Sequence, residues 1–462
     1  MTQLLSVLSA IFWGALVLNV LVFVHEGGHY LAARAFGMRV TEFFVGMPCR
    51  FRLSRRSRSR GTEFGVTPIL VGGYTRICGM EGELGPHAAD VLASVARRGH
   101  ATVAQVAADA GCSEREALDE LAMLVDWASV EPRWPEGTRP SRTEWPEEFQ
   151  TVRRDKDLLT AFDAHHDFSA GGSTEAGEPH EVPDGDAEAL LARERSRTYL
   201  GKGFLPRFAA LLAGPAVNIV LGLVLVAGTL SVGGVTAARD VPVIGEVSEG
   251  SLAAVSGIRA GDEIETVDGV AVSTWVGMGE ELRQAIGEGR PFECSIVRDG
   301  SSLTVTVDPA LASDGSGLFG VVASTETYHP GPLQSLSWAC NYVGMTANYV
   351  LQLLQPAHAQ QIVSQSSSVV GISVAASQAA SRGPVDLLFL MAAISLSLGF
   401  MNLLPIPPLD GGKIAIEVIQ AIVRRPVPIR AQTVVSYLGL AAMLLLFFFV
   451  LQQDIVRIVT GG

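Results

Sequence analysis

The chain has 462 residues, of which 48% are apolar and 18% charged, with a formal net charge of −13. An apolar share this high, gathered into blocks of about 20 residues, excludes an ordinary soluble enzyme and points to a bilayer-spanning protein. The net charge itself says little about partners, because its sign changes along the chain.

The first apolar block runs over about 4–24. It has no charged region before it and no small-x-small cleavage site after it, so it reads as a retained span rather than a signal peptide. At its end stands His25-Glu26-Gly27-Gly28-His29. On a helix, positions i and i+4 share a face, so both imidazoles reach one ion while Glu26 stands beside them as a base. A pair of interface histidines reaching for water is the plain alternative. Ionisable groups at the end of an apolar helix are costly unless coordinated or paired, which favours the metal.

Arg34, Arg39, Arg50, Arg52, Arg55, Arg56, Arg58 and Arg60 follow. Beside a span such a run meets anionic lipid headgroups rather than nucleic acid. The stretch GTEFGVTPILVGGYTRICGM, 61–80, has β-branched runs broken by Gly72-Gly73 and predicts a glycine-turned β-hairpin at the membrane edge. Apolar spacing over 88–131 predicts helices, and TVAQVAADAGCSEREALDELAMLVDWASV resembles a winged-helix core with Gly111 in the turn and Ser113 as a cap. Glu114, Glu116, Asp119 and Glu120 crowd the would-be recognition helix, so no nucleic acid is expected there and a cytoplasmic protein partner is. From 132 onward the chain is rich in Pro, Gly, Glu and Asp, the composition of a flexible acidic linker.

The second apolar block covers about 208–232. Beyond it, VPVIGEV, SLAAVSGIRAGDEIETVDGVAV, a helix near 278–286 and FECSIVRDGSSLTVTV resemble a PDZ domain, a fold that takes an extended peptide on a sheet edge. The third and fourth blocks cover about 387–404 and 434–451. Lys413, Arg424, Arg425 and Arg430 follow the third block. Basic residues beside spans stay cytoplasmic, which puts the N-terminus and 236–382 outside and 35–206 inside. Five cysteines, Cys49, Cys78, Cys112, Cys294 and Cys340, form no close-spaced metal or redox motif.

A catalytic zinc keeps three protein ligands and one open position. Asp410, in Asn402-Leu-Leu-Pro-Ile-Pro-Pro-Leu-Asp-Gly-Gly412, is the best third ligand, since Pro405, Pro407 and Pro408 break the helix and Gly411-Gly412 let the backbone turn. A turn residue before Gly-Gly is the plain alternative. H-E-x-x-H, Gly214-Pro-Ala-Val-Asn218 and N-x-x-P-x-P-x-L-D-G together resemble the site-2 protease family of intramembrane zinc metalloproteases, in its bacterial branch with one PDZ domain. The resemblance implies zinc on His25, His29 and Asp410, Glu26 as general base, and Asn218 and Asn402 near the substrate strand or oxyanion. It implies a reentrant hairpin presenting the substrate as a strand, and action after a first cut by another protease. The insert departs from the family core, as does Ser368-Val-Val-Gly-Ile372, where G-P-x-G-I is often seen.

The expected fold is an α-helical integral membrane protein with four transmembrane helices, a membrane-associated β-hairpin, an extracytoplasmic PDZ (α/β) domain and a small helical cytoplasmic insert. Its parts are 1–81 (first span, H-E-x-x-H and hairpin), 82–131 (insert), 132–200 (linker), 201–235 (second span), 236–310 (PDZ), 311–382 (amphipathic connection) and 383–462 (third and fourth spans with L-D-G). The expected function is zinc-dependent cutting of transmembrane protein substrates in or near the bilayer. It would belong to regulated intramembrane proteolysis, such as cleavage of anti-sigma factors or signal-peptide remnants, at the inner (plasma) membrane in contact with its lipids. A non-catalytic PDZ membrane scaffold is the alternative; loss of any of His25, Glu26, His29 or Asp410 would have favoured it. A metal transporter would need more polar residues deep in the spans than Asn218 and a few hydroxyls.

Overall fold

The computed structural model describes residues 2–460 apart from positions 71, 81, 83, 136, 138–143, 170, 183–184, 312–318 and 426. Parts of the expected linker, and the start of the expected connection at 312–318, therefore lie outside the described residues. Four helices are long and apolar enough to cross a membrane: Leu4–Ala35, Phe204–Gly233, Pro384–Asn402 and Arg430–Arg457. They contain the four apolar blocks, the third ending two residues early where the proline-rich turn begins.

Helix α1 (Thr2–Ala35) leads into strands β1 (Val40–Val45), β2 (Leu53–Arg56), β3 (Glu63–Val66) and β4 (Gly73–Ile77), which form one sheet in the order β2-β3-β1-β4. This corrects the expected hairpin over 61–80. β3 and β4 do not pair with each other; β1 lies between them, parallel to β3 and antiparallel to β4. Val40, Phe43 and Phe44 are buried, and the centre of a sheet is where a strand that apolar is best covered. The sheet rests on α1. Thr75 Oγ1 donates to the Glu26 carbonyl (3.1 Å), Asn19 Nδ2 donates to the Leu70 carbonyl (3.0 Å), and the Tyr30, Phe43 and Phe64 rings pack together.

Next come α2 (Ala88–Arg98), β5 (His100–Thr102), α3 (Val103–Ala110), α4 (Glu114–Asp126), β6 (Val130–Arg133), β7 (Glu148–Thr151) and α5 (Ala187–Arg195). Gly111 takes the left-handed conformation (φ 67°) at the end of α3, and Ser113 closes a capping box with Glu116 at the start of α4. The sheet order β5-β7-β6 makes β6 and β7 a wing beside the helices. The segment expected to be a flexible linker differs from that expectation, since it supplies β7 and α5. Its scattered apolar residues Phe149 and Leu190 fill the same core as Val91, Val95, Leu121, Leu124 and Trp127. Single apolar residues in a polar run leave no periodic signal, and several of its charges are internal rather than solvating.

Arg39, just beyond α1, is fully buried. Its Nε and Nη2 donate to the Asp163 carboxylate (2.8 and 2.7 Å), and its Nη1 to Glu194 Oε2 (2.6 Å). Arg154 Nη1 donates to the other Glu194 oxygen at 2.8 Å. Burial alone would raise the Glu194 carboxyl, but the Arg154 and Arg39 charges hold it well below its usual range. The stabilisation is therefore full above the unfolded carboxyl's pKa and is lost as pH falls toward the lower folded value. Glu194→Ala would leave two arginines buried without their carboxylate and is expected to cost about 3–5 kcal/mol. Limited proteolysis would show it as faster nicking of 84–200; unchanged nicking would contradict it.

A second compact unit, 227–337, begins in the last turns of α6 (Phe204–Gly233). It holds β8 (Val235–Ala238), β9 (Ile244–Val247), α7 (Leu252–Val255), β10 (Glu263–Val267), β11 (Val270–Ala271), α8 (Trp275–Gly287), β12 (Phe292–Arg298), β13 (Ser301–Val307), β14 (Val321–Ala323) and β15 (Thr325–Tyr328). β11-β10-β12-β13 form a sheet, while β14 pairs with β9 and β15 with β8. Asp268 and Gly269 both take positive φ (49° and 84°) in the tight turn joining β10 to β11. Ile244, Leu252, Ile264, Met278, Leu282, Phe292 and Val307 make its core.

The chain ends with α9 (Pro332–Gln352), α10 (Pro356–Gln365), α11 (Val369–Arg382), α12 (Pro384–Asn402), α13 (Asp410–Val423) and α14 (Ile429–Thr460). α11 packs along α1, with Ser9 and Ser377 hydroxyls 2.7 Å apart. Ser368 caps α11, and its own N–H donates to Asp454.

Candidate metal centre

Three helices meet at the candidate site. α1 presents His25 and His29 on one face, both buried; α6 brings Gly214 and Asn218; α13 begins at Asp410. Asp410 Oδ2 lies 3.1 Å from His25 Nε2 and 3.3 Å from His29 Nε2, and the two Nε2 atoms are 3.2 Å apart. Ligand atoms bound at about 2.0 Å at the corners of a tetrahedron stand about 3.3 Å from one another. The spacing therefore fits three ligands of one zinc, and among the described residues this is the group of His, Cys, Asp or Glu found close enough to hold a metal.

Hydrogen bonding alone accounts poorly for the cluster. His29 Nδ1 lies 2.8 Å from the Ala210 carbonyl, which accepts only a proton, so the neutral ring keeps its lone pair on Nε2. That lone pair then faces a carboxylate oxygen and a second imidazole nitrogen. Three acceptors converging in a buried space repel unless a cation stands between them. On the other ring, the Asn218 amide lies 3.4 Å from His25 Nδ1, and Asn218 Oδ1 is buried with no partner among the described residues. A half-turn exchanges the two ends of an amide. With Oδ1 toward His25 Nδ1–H, the orphaned oxygen gains a partner and His25 Nε2 also turns its lone pair to the centre.

The surrounding glycines show why these motifs have their form. A Cβ on Gly214 would come within 2.3 Å of His29 Nε2, and one on Gly28 within 2.5 Å of the Ala213 carbonyl. Both openings let α1 and α6 approach closely. A Cβ on Gly411 or Gly412 would meet Leu404 and Leu403 or Pro407 backbone at 2.3–2.4 Å, so the pair lets α13 fold tightly under the turn that follows α12. The turn aims Asp410 at the histidines.

The site residues read from the sequence are thus placed unequally. His25, His29 and Asp410 converge. Glu26 is half-buried beneath β4, where a Cβ on Gly73 would lie 3.3 Å from its Cγ. Asn218 is fully buried against His25. Asn402 does not join them; its amide donates to the Leu398 carbonyl of its own helix at 3.0 Å. Sequence reasoning missed the Ala210 carbonyl, which has no side-chain signature. It also missed Glu417, seven residues past Asp410 on α13, which accepts from the Tyr199 hydroxyl (3.0 Å) and pairs with Arg207 at the base of α6 (3.2 Å). A lone glutamate in the apolar run KIAIEVIQAIV was the available signal.

The family described as peptidase family M50 matches residues 13–446. The chain is 26% identical over 453 residues to a putative zinc metalloprotease of Lactococcus lactis, covering 96% of this chain and 97% of that one. It is 24% identical over 449 residues to the regulator of sigma-W protease RasP of Bacillus subtilis, at 96% and 97% coverage. A putative zinc metalloprotease of Mesorhizobium japonicum is 32% identical over 285 residues, 58% of this chain and 76% of its own.

Proposed function

Because this chain belongs to peptidase family M50 and is a zinc metalloprotease of the membrane, we propose that His25, His29 and Asp410 hold its zinc, that Glu26 is the general base, and that it cuts membrane proteins within or beside their spans. The observation that carries this reading is the convergence of three lone-pair donors at 3.1–3.3 Å. When bound, zinc supplies a Lewis acid that polarises the scissile carbonyl and lets water attack near neutral pH. Glu26 takes the proton of the attacking water and returns it to the leaving amine. Asn218 orients the His25 ring; Asn402, half-buried at the end of α12, is the asparagine left to meet the substrate.

A helical substrate hides its carbonyls in hydrogen bonds and must unwind before attack. β4 supports that step, because it lies beside Glu26 and is the last strand of its sheet, ready to pair with an extended segment. The arginines beyond the first span and the basic residues beyond the third support a cytoplasmic 35–206 and an outward 236–382, at the inner (plasma) membrane with anionic lipid around the exposed arginines of 50–60, Arg39 being buried in ion pairs instead. The unit 227–337 suits a PDZ domain outside the bilayer. Its proposed role is to gate substrate access, since the three converging side chains all belong to the other unit. The family resemblance and a relative named regulator of sigma-W protease support a part in regulated intramembrane proteolysis of trimmed substrates, with anti-sigma factors or signal-peptide remnants as candidates.

The test is cleavage of a purified single-span substrate, with and without a folded outer domain. Wild type is expected to cut only the trimmed form, in or near its apolar segment. Replacing 241–307 by a short Gly/Ser bridge should leave zinc in place and extend cleavage to the untrimmed form. Products cut only in soluble loops would contradict the intramembrane reading. Loss of activity on the trimmed form would make the domain a recruitment site instead of a gate.

A further inference from the structure

We infer that the open edge of β4 and the wing of the insert form a groove for the extended cytoplasmic flank of the membrane substrate, an inference that rests on the membrane-substrate reading above. Among the described residues β4 has a strand partner, β1, on one side only. It follows α1 away from the site: Gly73 and Thr75 pack on Glu26, Arg76 then pairs with Asp126 of α4 at 3.1 Å, and the Gly79 N–H donates to Asp126 at 3.0 Å. The unpaired edge thus spans the five residues of β4, about 17 Å at about 3.3 Å per residue, and leads from the proposed base to the turn at Gly79 that meets the insert.

A groove of about 720 Å³ lies against β4 and the adjoining part of β1. Its walls include Tyr74 to Ile77 on β4, the Glu42–Arg52 and Arg76–Asp126 ion pairs, Glu144 and Trp145 beside the wing, and Lys413, three residues past Asp410. The edge offers main-chain donors and acceptors, the usual means of capturing an extended peptide. The walls add side-chain preferences. Trp145 is 45% exposed, with its ring 6.0 Å from that of Phe149, and offers an apolar face. Arg52 and Arg76 are already paired with Glu42 and Asp126, whereas Lys413 is exposed and has no ion pair among the described residues. The occupant favoured is therefore an extended peptide with an apolar side chain for Trp145 and a carboxylate for Lys413. Continuity with the site identifies it as the substrate itself, because a strand laid on β4 at Glu26 can extend only along this edge to leave on the insert side. The insert then becomes a reader of substrate sequence.

The experiment uses the full-length protein in detergent and two single-span substrates with one apolar segment. One carries about ten cytoplasmic residues including a tryptophan and two glutamates; the other is trimmed at the bilayer boundary. The flanked substrate is expected to have a KM about tenfold lower, within the range a well-packed aromatic anchor contributes. Trp145→Ala should bring the two KM values together, Trp145→Phe should restore most of the difference, and Lys413→Glu should shift the preference to a lysine-bearing flank. A photo-reactive residue in the flank should crosslink to the peptide holding Glu144 and Trp145. Equal KM values for wild type, or a flank preference that survives Trp145→Ala, would overturn the inference. Wild type that cuts neither substrate would overturn the membrane-substrate reading beneath it.

Discussion

Glu26→Gln is expected to abolish cleavage and leave one zinc per chain. Glutamine keeps the size and the hydrogen-bonding reach of the side chain but cannot accept a proton from water. Proton transfer by a positioned base contributes about 10²–10⁴-fold to rate, so residual turnover should fall to or below a hundredth of wild type. Metal should stay, because Glu26 is not among the three side chains that converge. Neither should the fold suffer, since what the sheet takes from this position is the Glu26 main-chain carbonyl, bonded to Thr75. Metal analysis and cleavage of a single-span substrate on the same preparation check both halves. Wild-type turnover would remove Glu26 from the chemistry; loss of zinc would make it a ligand.

Asp410→Asn is expected to remove the metal as well as the activity. The amide is neutral and offers one weaker oxygen where the carboxylate offers a charge, and both candidate histidines touch that carboxylate. Even partners outside the ligand set cost about 10–100-fold in metal affinity when lost, so removing a ligand should exceed the upper figure. The turn that carries residue 410 rests on Gly411, Gly412 and the backbone from Leu403 to Pro407, all unchanged by the substitution. Circular dichroism equal to wild type, with zinc lost on dialysis, is the expected pair of results. Retention of a full zinc complement would exclude Asp410 as a ligand.

The candidate site was legible in the sequence where a chemical requirement writes itself into spacing. Two histidines four apart on a helix, and a carboxylate behind a proline-broken turn with paired glycines, have few other uses at the end of an apolar span. The spans were legible because hydropathy over about 20 residues is a summed quantity that local errors do not disturb. Pairing partners were harder. Nothing in GTEFGVTPILVGGYTRI says that VTEFFV, twenty residues earlier, lies between its two strands, because register and order are decided by which strand most needs covering. The insert shows the same limit. Glu194 and Asp163 belong to an acidic, proline-rich run that composition assigns to solvent, yet Arg39, far earlier in the chain, pairs with both inside the fold, and Arg154 of the same run joins Glu194. Gly214 appeared only as part of a motif, while its reason, the His29 ring above it, needs the packing of α1 on α6.

X-ray absorption at the zinc edge of the purified full-length protein tests the central claim most directly, since it reads the atoms around the metal without reference to any substrate. The account predicts a shell of nitrogen and oxygen only, at about 2.0–2.1 Å, with the outer-ring scattering of two imidazoles. In His29→Ala, as in Asp410→Asn, the zinc itself should be lost, because one of its three proposed ligands is gone. A sulfur neighbour at about 2.3 Å, or a wild-type shell without imidazole, would contradict it.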